Sequence, residues 1–202
     1  MTEPWKPDAA LANFADLNLD RAARRDGRGG ITVPDPPASG YLPDPGASGW
    51  CVRPVPAAEV WPIRHQVLHP GQPLESSRYV EDDRPGARHF AALHEGRSVG
   101  AASMSRDDPP AEFSVPGLKP GQGWHLRGMA TLDEVRGCGA GSALLRTALT
   151  YAVLAGAGAV WCKARTSVAG FYRKHGFQTL GEEFEIPGIG PHSFMYWLHW
   201  ND

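Results

Sequence analysis

A run of glycines directly before an amphipathic helix is the feature that most constrains this chain. Residues 136–141 read Arg-Gly-Cys-Gly-Ala-Gly. The apolar residues that follow have helical spacing and are Leu144, Leu145, Ala148, Leu149, Ala152 and Val153. The glycines therefore lie at a helix N-terminus, where backbone N–H groups are unpaired, the helix dipole is positive and no Cβ blocks close approach. Such a turn is suited to binding a phosphate.

The residues before this turn predict a strand with an irregularity. Trp124 and Leu126 alternate with polar neighbours as in a half-buried strand, but the next apolar residue, Met129, comes at an odd step. The alternation slips at Gly128, which predicts a β-bulge. A bulge turns backbone N–H and C=O groups away from the neighbouring strand, so another group can pair with them.

Two nucleotide-binding motifs can be excluded, and a third matches. There is no G-x-x-x-x-G-K-[ST] sequence, and the dinucleotide fingerprint G-x-G-x-x-G fails because Ser142 stands at its last position. Arg136, Gly139 and Gly141 instead match the R-x-x-G-x-G/A turn of the GCN5-related N-acetyltransferases, which this chain resembles.

Further motifs support this resemblance. Residues 171–177, Phe-Tyr-Arg-Lys-His-Gly-Phe, resemble the family's F-Y-x-x-x-G-F, which follows its next strand and helix. Residues 63–83 and 181–195 resemble the corresponding stretches of the ElaA-like branch, where the first belongs to the acceptor side. The resemblance extends over about residues 50–200.

The resemblance implies a mixed α/β fold for residues 50–202. Its central twisted sheet would have about six or seven mostly antiparallel strands, would splay beside the bulged strand and would be flanked by about four helices. Residues 1–49 are rich in proline and glycine and predict an extension of the domain. Within it, residues 8–25 could form a short amphipathic helix, either in a loosely attached tail or docked on this domain or on a second subunit, which leaves a homodimer possible.

In this family the donor is acetyl-coenzyme A, and the resemblance implies which residues hold it. The turn would bind the pyrophosphate through the backbone of Arg136, Gly137, Cys138, Gly139, Ala140, Gly141 and Ser142. The bulged strand would bind the pantetheine arm through Met129, Ala130 and Thr131. Arg165 stands where many members have asparagine. It could contact a phosphate or the adenosine, or face the acceptor instead.

Tyr172 matches the family tyrosine that protonates the leaving thiolate. A phenol has a pKa of about 10 and is protonated at neutral pH. Because Phe171 and Tyr172 adjoin on a helix, one of them must face the core, so a purely structural Tyr172 remains the alternative.

Several residues are candidates for the general base that deprotonates the amine, and the sequence does not choose between them. Glu183, Glu185 and His192 lie near the expected acceptor cleft, and His125 lies on the bulged strand. Each can also be explained as a solvated acid or a hydrogen-bonded histidine. Cys138 is not expected to act as a nucleophile, because direct transfer needs no acyl-enzyme.

Composition limits the partners and the compartment. The net charge of −2, without a basic cluster beyond residues 21–28, argues against nucleic acid. Three cysteines without a C-x-x-C pair fit the reducing cytoplasm, and their spacing from the histidines predicts no metal site. The sequence has no apolar run long enough to span a membrane and no signal-peptide pattern, so no membrane association is predicted.

The predicted function is transfer of an acetyl group from acetyl-coenzyme A to a primary amine of a small-molecule acceptor. The transfer would proceed by direct attack within a ternary complex. The alternative is a coenzyme A-binding sensor or interaction module without transferase activity. Tyr172 favours the enzyme.

Overall fold

The computed structural model describes residues 50–199, together with the pairs 24–25 and 31–32. Strand β1 (Arg24–Arg25) pairs antiparallel with β2 (Ile31–Thr32). The helix predicted for residues 8–25 lies outside the described residues except for its last two, which are extended rather than helical. Apart from these two short strands, the predicted extension, residues 1–49, lies outside the described residues.

Seven strands form the central sheet. They are β3 (Cys51–Val55), β4 (Arg88–His94), β5 (Arg97–Arg106), β6 (Gly123–Thr131), β7 (Ala159–Arg165), β8 (Gln178–Ile186) and β9 (Gly190–Leu198). Their order across the sheet is β3-β4-β5-β6-β7-β9-β8, and every neighbouring pair is antiparallel except β6 and β7. The predicted mixed, mostly antiparallel fold is therefore confirmed.

Three α-helices accompany the sheet in the described part of the chain. They are α1 (Ala57–Leu68), α2 (Ala140–Leu154) and α3 (Ala169–Lys174), where about four were expected. After α1 the chain contains Pro70 and Pro73, which cannot donate backbone hydrogen bonds. This segment forms two 3-10 turns, Leu74–Ser77 and Val80–Asp83, instead of a further helix.

Two helices cover opposite faces of the sheet. Gly100 of β5 faces α2, because a Cβ at this position would meet Leu144 of that helix. Ser103 of the same strand accepts a hydrogen bond from Arg64 of α1. Residues of opposite parity point to opposite faces of a strand, so α1 and α2 enclose the sheet between them. None of the described helices is both long and apolar enough to cross a membrane.

The predicted bulge lies where the alternation slipped. Ala101 of β5 pairs with Ala130 of β6, but Ser103 pairs with Arg127, so β6 contains one extra residue. Gly128 lies at this point with a φ of 58°. On its other edge β6 pairs with β7 only from Gly123 to His125. The described parts of the two strands diverge beyond that point, which confirms the predicted splay.

Candidate active site

A cavity of about 950 Å³ occupies the space between the diverging strands β6 and β7. Its walls come from the bulged half of β6, the start of α2, the end of β7, and α3. The end of α1 and the 3-10 segment near residue 80 close another side. The lining includes most of the residues predicted to bind the cofactor: Met129, Ala130, Thr131, Arg136, Gly137, Gly139, Gly141, Ser142 and Arg165.

The glycine turn has the backbone shape that the sequence predicted. Gly137 and Gly139 have φ values of 76° and 94°, which lie in the left-handed region that glycine adopts without strain. Helix α2 begins immediately afterwards at Ala140. The indole Nε1 of Trp50 donates a hydrogen bond of 2.7 Å to the carbonyl oxygen of Cys138 and so holds the turn from outside. The cavity thus ends at a helix N-terminus, which suits an anionic ligand.

Two predicted residues of the turn do not line the cavity with their side chains. The Cys138 side chain is exposed and Ala140 is buried in the core. Ser142 lines the cavity, and its hydroxyl lies 3.0 Å from Nε2 of His175. Since His175 Nδ1 lies 2.9 Å from the carbonyl oxygen of Phe171, this histidine links the first turn of α2 to α3.

Tyr172 is both packed in the core and present at the cavity. It is 7% exposed, and its ring contacts Phe177 edge-on at 5.3 Å between centroids. Tyr172 lines the cavity, and its hydroxyl donates a hydrogen bond of 3.6 Å to the sulfur of Met129, another lining residue. Burial raises the pKa of Tyr172 well above its ordinary value, so the phenol stays protonated. A thioether is a weak acceptor, which leaves this proton available to a stronger one.

The base candidates fall into different environments. His192 is 5% exposed, lines the cavity and places Nδ1 2.7 Å from the Gly190 carbonyl oxygen. A carbonyl only accepts, so in the neutral ring Nδ1 carries the proton and Nε2 remains a basic nitrogen. Glu183 and Glu185 are exposed on β8 and do not line the cavity.

His125 lines the cavity but is a poor base. Its ring stacks on Trp161 with centroids 3.7 Å apart. Burial, with the positive charges of Arg127 and Lys163, lowers the pKa of His125 to about 3. A nitrogen of this low basicity takes up a proton poorly at neutral pH. Among the described residues no group of three or more His, Cys, Asp or Glu could hold a metal ion.

Arg165 lies on the side of the cavity formed by α1. Its guanidinium donates a hydrogen bond of 2.9 Å to the carbonyl oxygen of Leu68, the last residue of α1. Of the alternatives that the sequence left open, this position favours the acceptor side over the phosphate-binding turn.

A buried ion pair beneath the bulge was not predicted. Arg64 has no exposed surface, and its guanidinium donates two hydrogen bonds to Asp82, of 2.6 and 3.0 Å. It also donates to the Ser77 carbonyl oxygen at 3.2 Å and to the Ser103 hydroxyl. Burial alone would raise the pKa of Asp82, but the hydrogen bonds and charge of Arg64 outweigh it, so the pKa is lowered. The sequence did contain a signal, because Arg64 stands within the apolar stripe of α1.

A second group that the sequence missed lies at the acceptor side. Glu81 and Arg127 form an ion pair on the cavity wall. Nearby, His69 Nε2 lies 3.1 Å from the Tyr79 hydroxyl. These residues come from the segment that follows α1 and from β6, so only the folded chain brings them together.

A mixed sheet splayed beside a bulged strand, with a glycine turn at a helix N-terminus, is the arrangement expected of an acetyltransferase. The model of the acetyltransferase (GNAT) family matches residues 57–177. An uncharacterized N-acetyltransferase, YitI of Bacillus subtilis, is 39% identical over 145 residues, which are 72% of this chain and 93% of that protein. The chain therefore belongs to the GNAT family and is an N-acetyltransferase, as the sequence predicted.

Solved structures share the fold. A putative N-acetyltransferase from Lactobacillus plantarum superposes with a TM-score of 0.59 at 16% identity, over 74% of this chain and 97% of the other. Escherichia coli ElaA gives a TM-score of 0.52 at 17% identity, over 73% and 99%. At this level of identity the similarity concerns the fold alone. ElaA belongs to the branch that residues 63–83 and 181–195 resemble.

Proposed function

We propose that the protein transfers an acetyl group from acetyl-coenzyme A to a primary amine of a small molecule. One observation carries this proposal. One cavity is lined by the glycine turn, the unpaired edge of β6 and Tyr172. These three features suit, in that order, a pyrophosphate, an amide-containing chain and a departing thiolate.

The donor would be held mainly by backbone groups. The amides of residues 136–142 would bind its pyrophosphate at the start of α2, where the dipole favours negative charge. The edge of β6 from Met129 to Thr131 would pair with the pantetheine amides, because that edge has no strand beside it in the described structure. An amide at Met129 or Ala130 would also polarise the thioester carbonyl.

Direct transfer within a ternary complex needs two proton movements. The amine nitrogen attacks the thioester carbonyl carbon, a C–N bond forms, and the C–S bond breaks. The departing sulfur takes the proton of the Tyr172 hydroxyl. The proton lost by the amine goes to Nε2 of His192, directly or through water, so the charges balance. His192 is preferred over Glu183 and Glu185 because it lines the cavity.

Substitution of Tyr172 by phenylalanine tests this assignment. Tyr172→Phe keeps the ring that packs on Phe177 and removes only the proton donor. We expect kcat to fall by about 100-fold or more, with little change in the affinity for acetyl-coenzyme A measured by calorimetry. Tyr196→Phe is the matched control, because Tyr196 is buried, bonds Gln178 at 3.0 Å and does not line the cavity.

The steady-state rate of thiol release with a panel of amines is the measurement. Equal kcat values for the Tyr172 and Tyr196 variants would remove Tyr172 from the chemistry. Binding of acetyl-coenzyme A without thiol release for every amine would support the non-catalytic binding module instead.

We also propose that the enzyme works in the cytoplasm. Cys51, Cys138 and Cys162 are all free thiols in the described structure. Unpaired cysteines are typical of a reducing compartment.

A further inference from the structure

The acceptor side of the cavity has more positive than negative charge. Arg127 on β6 and Lys163 and Arg165 on β7 line it. Among the described lining residues Glu81 is the one carboxylate, and it is already paired with Arg127. The described residues offer no carboxylate partner to Lys163 or Arg165. Two cations therefore remain unbalanced.

The other titratable groups on this wall do not restore the balance. Burial lowers the pKa of His69, and it lowers that of His125, so both rings are neutral at pH 7. Burial raises the pKa of Tyr79, which therefore supplies no anion. Lys163 is exposed, and its ammonium lies 5.9 Å from the centre of the Phe184 ring. The excess of positive charge along this wall of the cleft attracts a ligand of opposite charge.

The position of the two cations suits recognition of an anionic group. Lys163 and Arg165 are two residues apart on β7 and so point to the same side of the strand. One N–H of Arg165 is fixed by the Leu68 carbonyl oxygen, which orients a guanidinium that has further donors. An oriented guanidinium binds carboxylates and phosphates through paired hydrogen bonds.

We propose that the acceptor amine also carries an anionic group, a carboxylate or a phosphate, and that Lys163 and Arg165 bind this group. The inference rests on the proposed acetyl transfer and narrows its substrate class. Amines that bear only positive charge, such as polyamines, would be repelled from this wall.

The rival explanation assigns these cations to the phosphates of the donor. The glycine turn at the start of α2 already suits the phosphates of the donor, whereas Arg165 is tied to the last residue of α1. If the rival explanation is right, removal of Lys163 will weaken the binding of acetyl-coenzyme A rather than that of the acceptor.

Matched acceptors separate the anionic group from the amine. We would compare β-alanine with β-alaninamide, and phosphoethanolamine with ethanolamine, and include putrescine as a cationic acceptor. The variant is Lys163→Met. The control is Lys119→Met, which removes one positive charge from an exposed loop residue that does not line the cavity. Calorimetry on the protein saturated with coenzyme A gives acceptor affinity without turnover.

The expected result is a kcat/KM about 10-fold or more higher for at least one acceptor that carries the anionic group than for its counterpart without that group. Lys163→Met should lower this preference about 10-fold by raising KM for the acceptor with the anionic group. KM for acetyl-coenzyme A and the reaction with the acceptor that lacks the anionic group should stay unchanged. Lys119→Met should change neither. Higher salt should reduce the preference.

Other outcomes overturn the inference. These are a preference for the acceptor without the anionic group or for putrescine, an effect of Lys163→Met on the KM for acetyl-coenzyme A alone, and no calorimetric preference for the anionic member of either pair. Failure of acetyl transfer itself gives a different result, because no amine then releases thiol although the calorimetric preference can still be measured.

Discussion

Replacement of Gly128 by alanine tests whether the bulge in β6 and the buried Arg64 depend on each other. The φ of Gly128 is 58°, a region that costs an alanine about 1–2 kcal/mol. A Cβ there would lie 3.0 Å from Cζ and 3.1 Å from Cδ of Arg64, and closer still to its Nε. Arg64 cannot move aside, because it is fully buried and bonded to Asp82.

The two effects together predict a large loss of stability. Overpacking of this kind costs about 1–3 kcal/mol, so Gly128→Ala should lower the free energy of unfolding by about 2–5 kcal/mol. Urea denaturation followed by circular dichroism measures it. The control is Gly170→Ala in α3, where the added Cβ meets nothing within 4 Å and alanine favours the helix. If both variants unfold at the same urea concentration, Arg64 does not occupy the space that excludes a side chain at position 128.

Two further predictions concern charge and pH. Asp82→Ala leaves the Arg64 cation buried without its partner and should cost about 3–5 kcal/mol, whereas Glu59→Ala, which breaks an exposed ion pair, should cost about 1 kcal/mol or less in the same urea assay. His125 stays neutral in the folded protein down to about pH 3 but takes up a proton near pH 6.5 when unfolded. The free energy of unfolding should therefore fall as the pH drops below 6.5, and His125 alone should account for a loss of about 2 kcal/mol at pH 5. His125→Phe keeps a ring on Trp161 and should remove this contribution. An unchanged dependence of stability on pH in the variant would contradict the lowered pKa.

Several elements of the fold have local signals in the sequence. The hairpin between β4 and β5 turns at Glu95 and Gly96, which both have positive φ values, as a two-residue turn requires. Likewise, the slip in alternation at Gly128 indicates the bulge at that residue, and the glycines before α2 indicate the turn that they form. Each of these features is decided by residues a few positions apart, so the sequence alone predicts them.

The site residues that escaped prediction depend on chain segments far apart in sequence. The contacts of Arg64 with Asp82 and Ser103 join α1, a 3-10 turn and β5. Glu183 is a base candidate because it lies near the expected acceptor cleft. The register of β8 against β9 shifts between Leu180 and Phe184, however, and strand alternation cannot then say which way Glu183 points.

The bulge and the buried ion pair can be understood as one structure. An irregular strand with an unpaired edge is expected to be unstable unless its other side is held firmly. Ser103 lies on β5 beside the register shift, and its hydroxyl contacts both Arg64 and, at 2.7 Å, Nδ1 of His89. Arg64 fills the space behind Gly128 and is itself fixed by Asp82. Glycine is required at position 128 because Arg64 occupies the space that a side chain there would need. The polar network around Arg64 holds this side of the bulge, while the free edge of β6 faces the cavity.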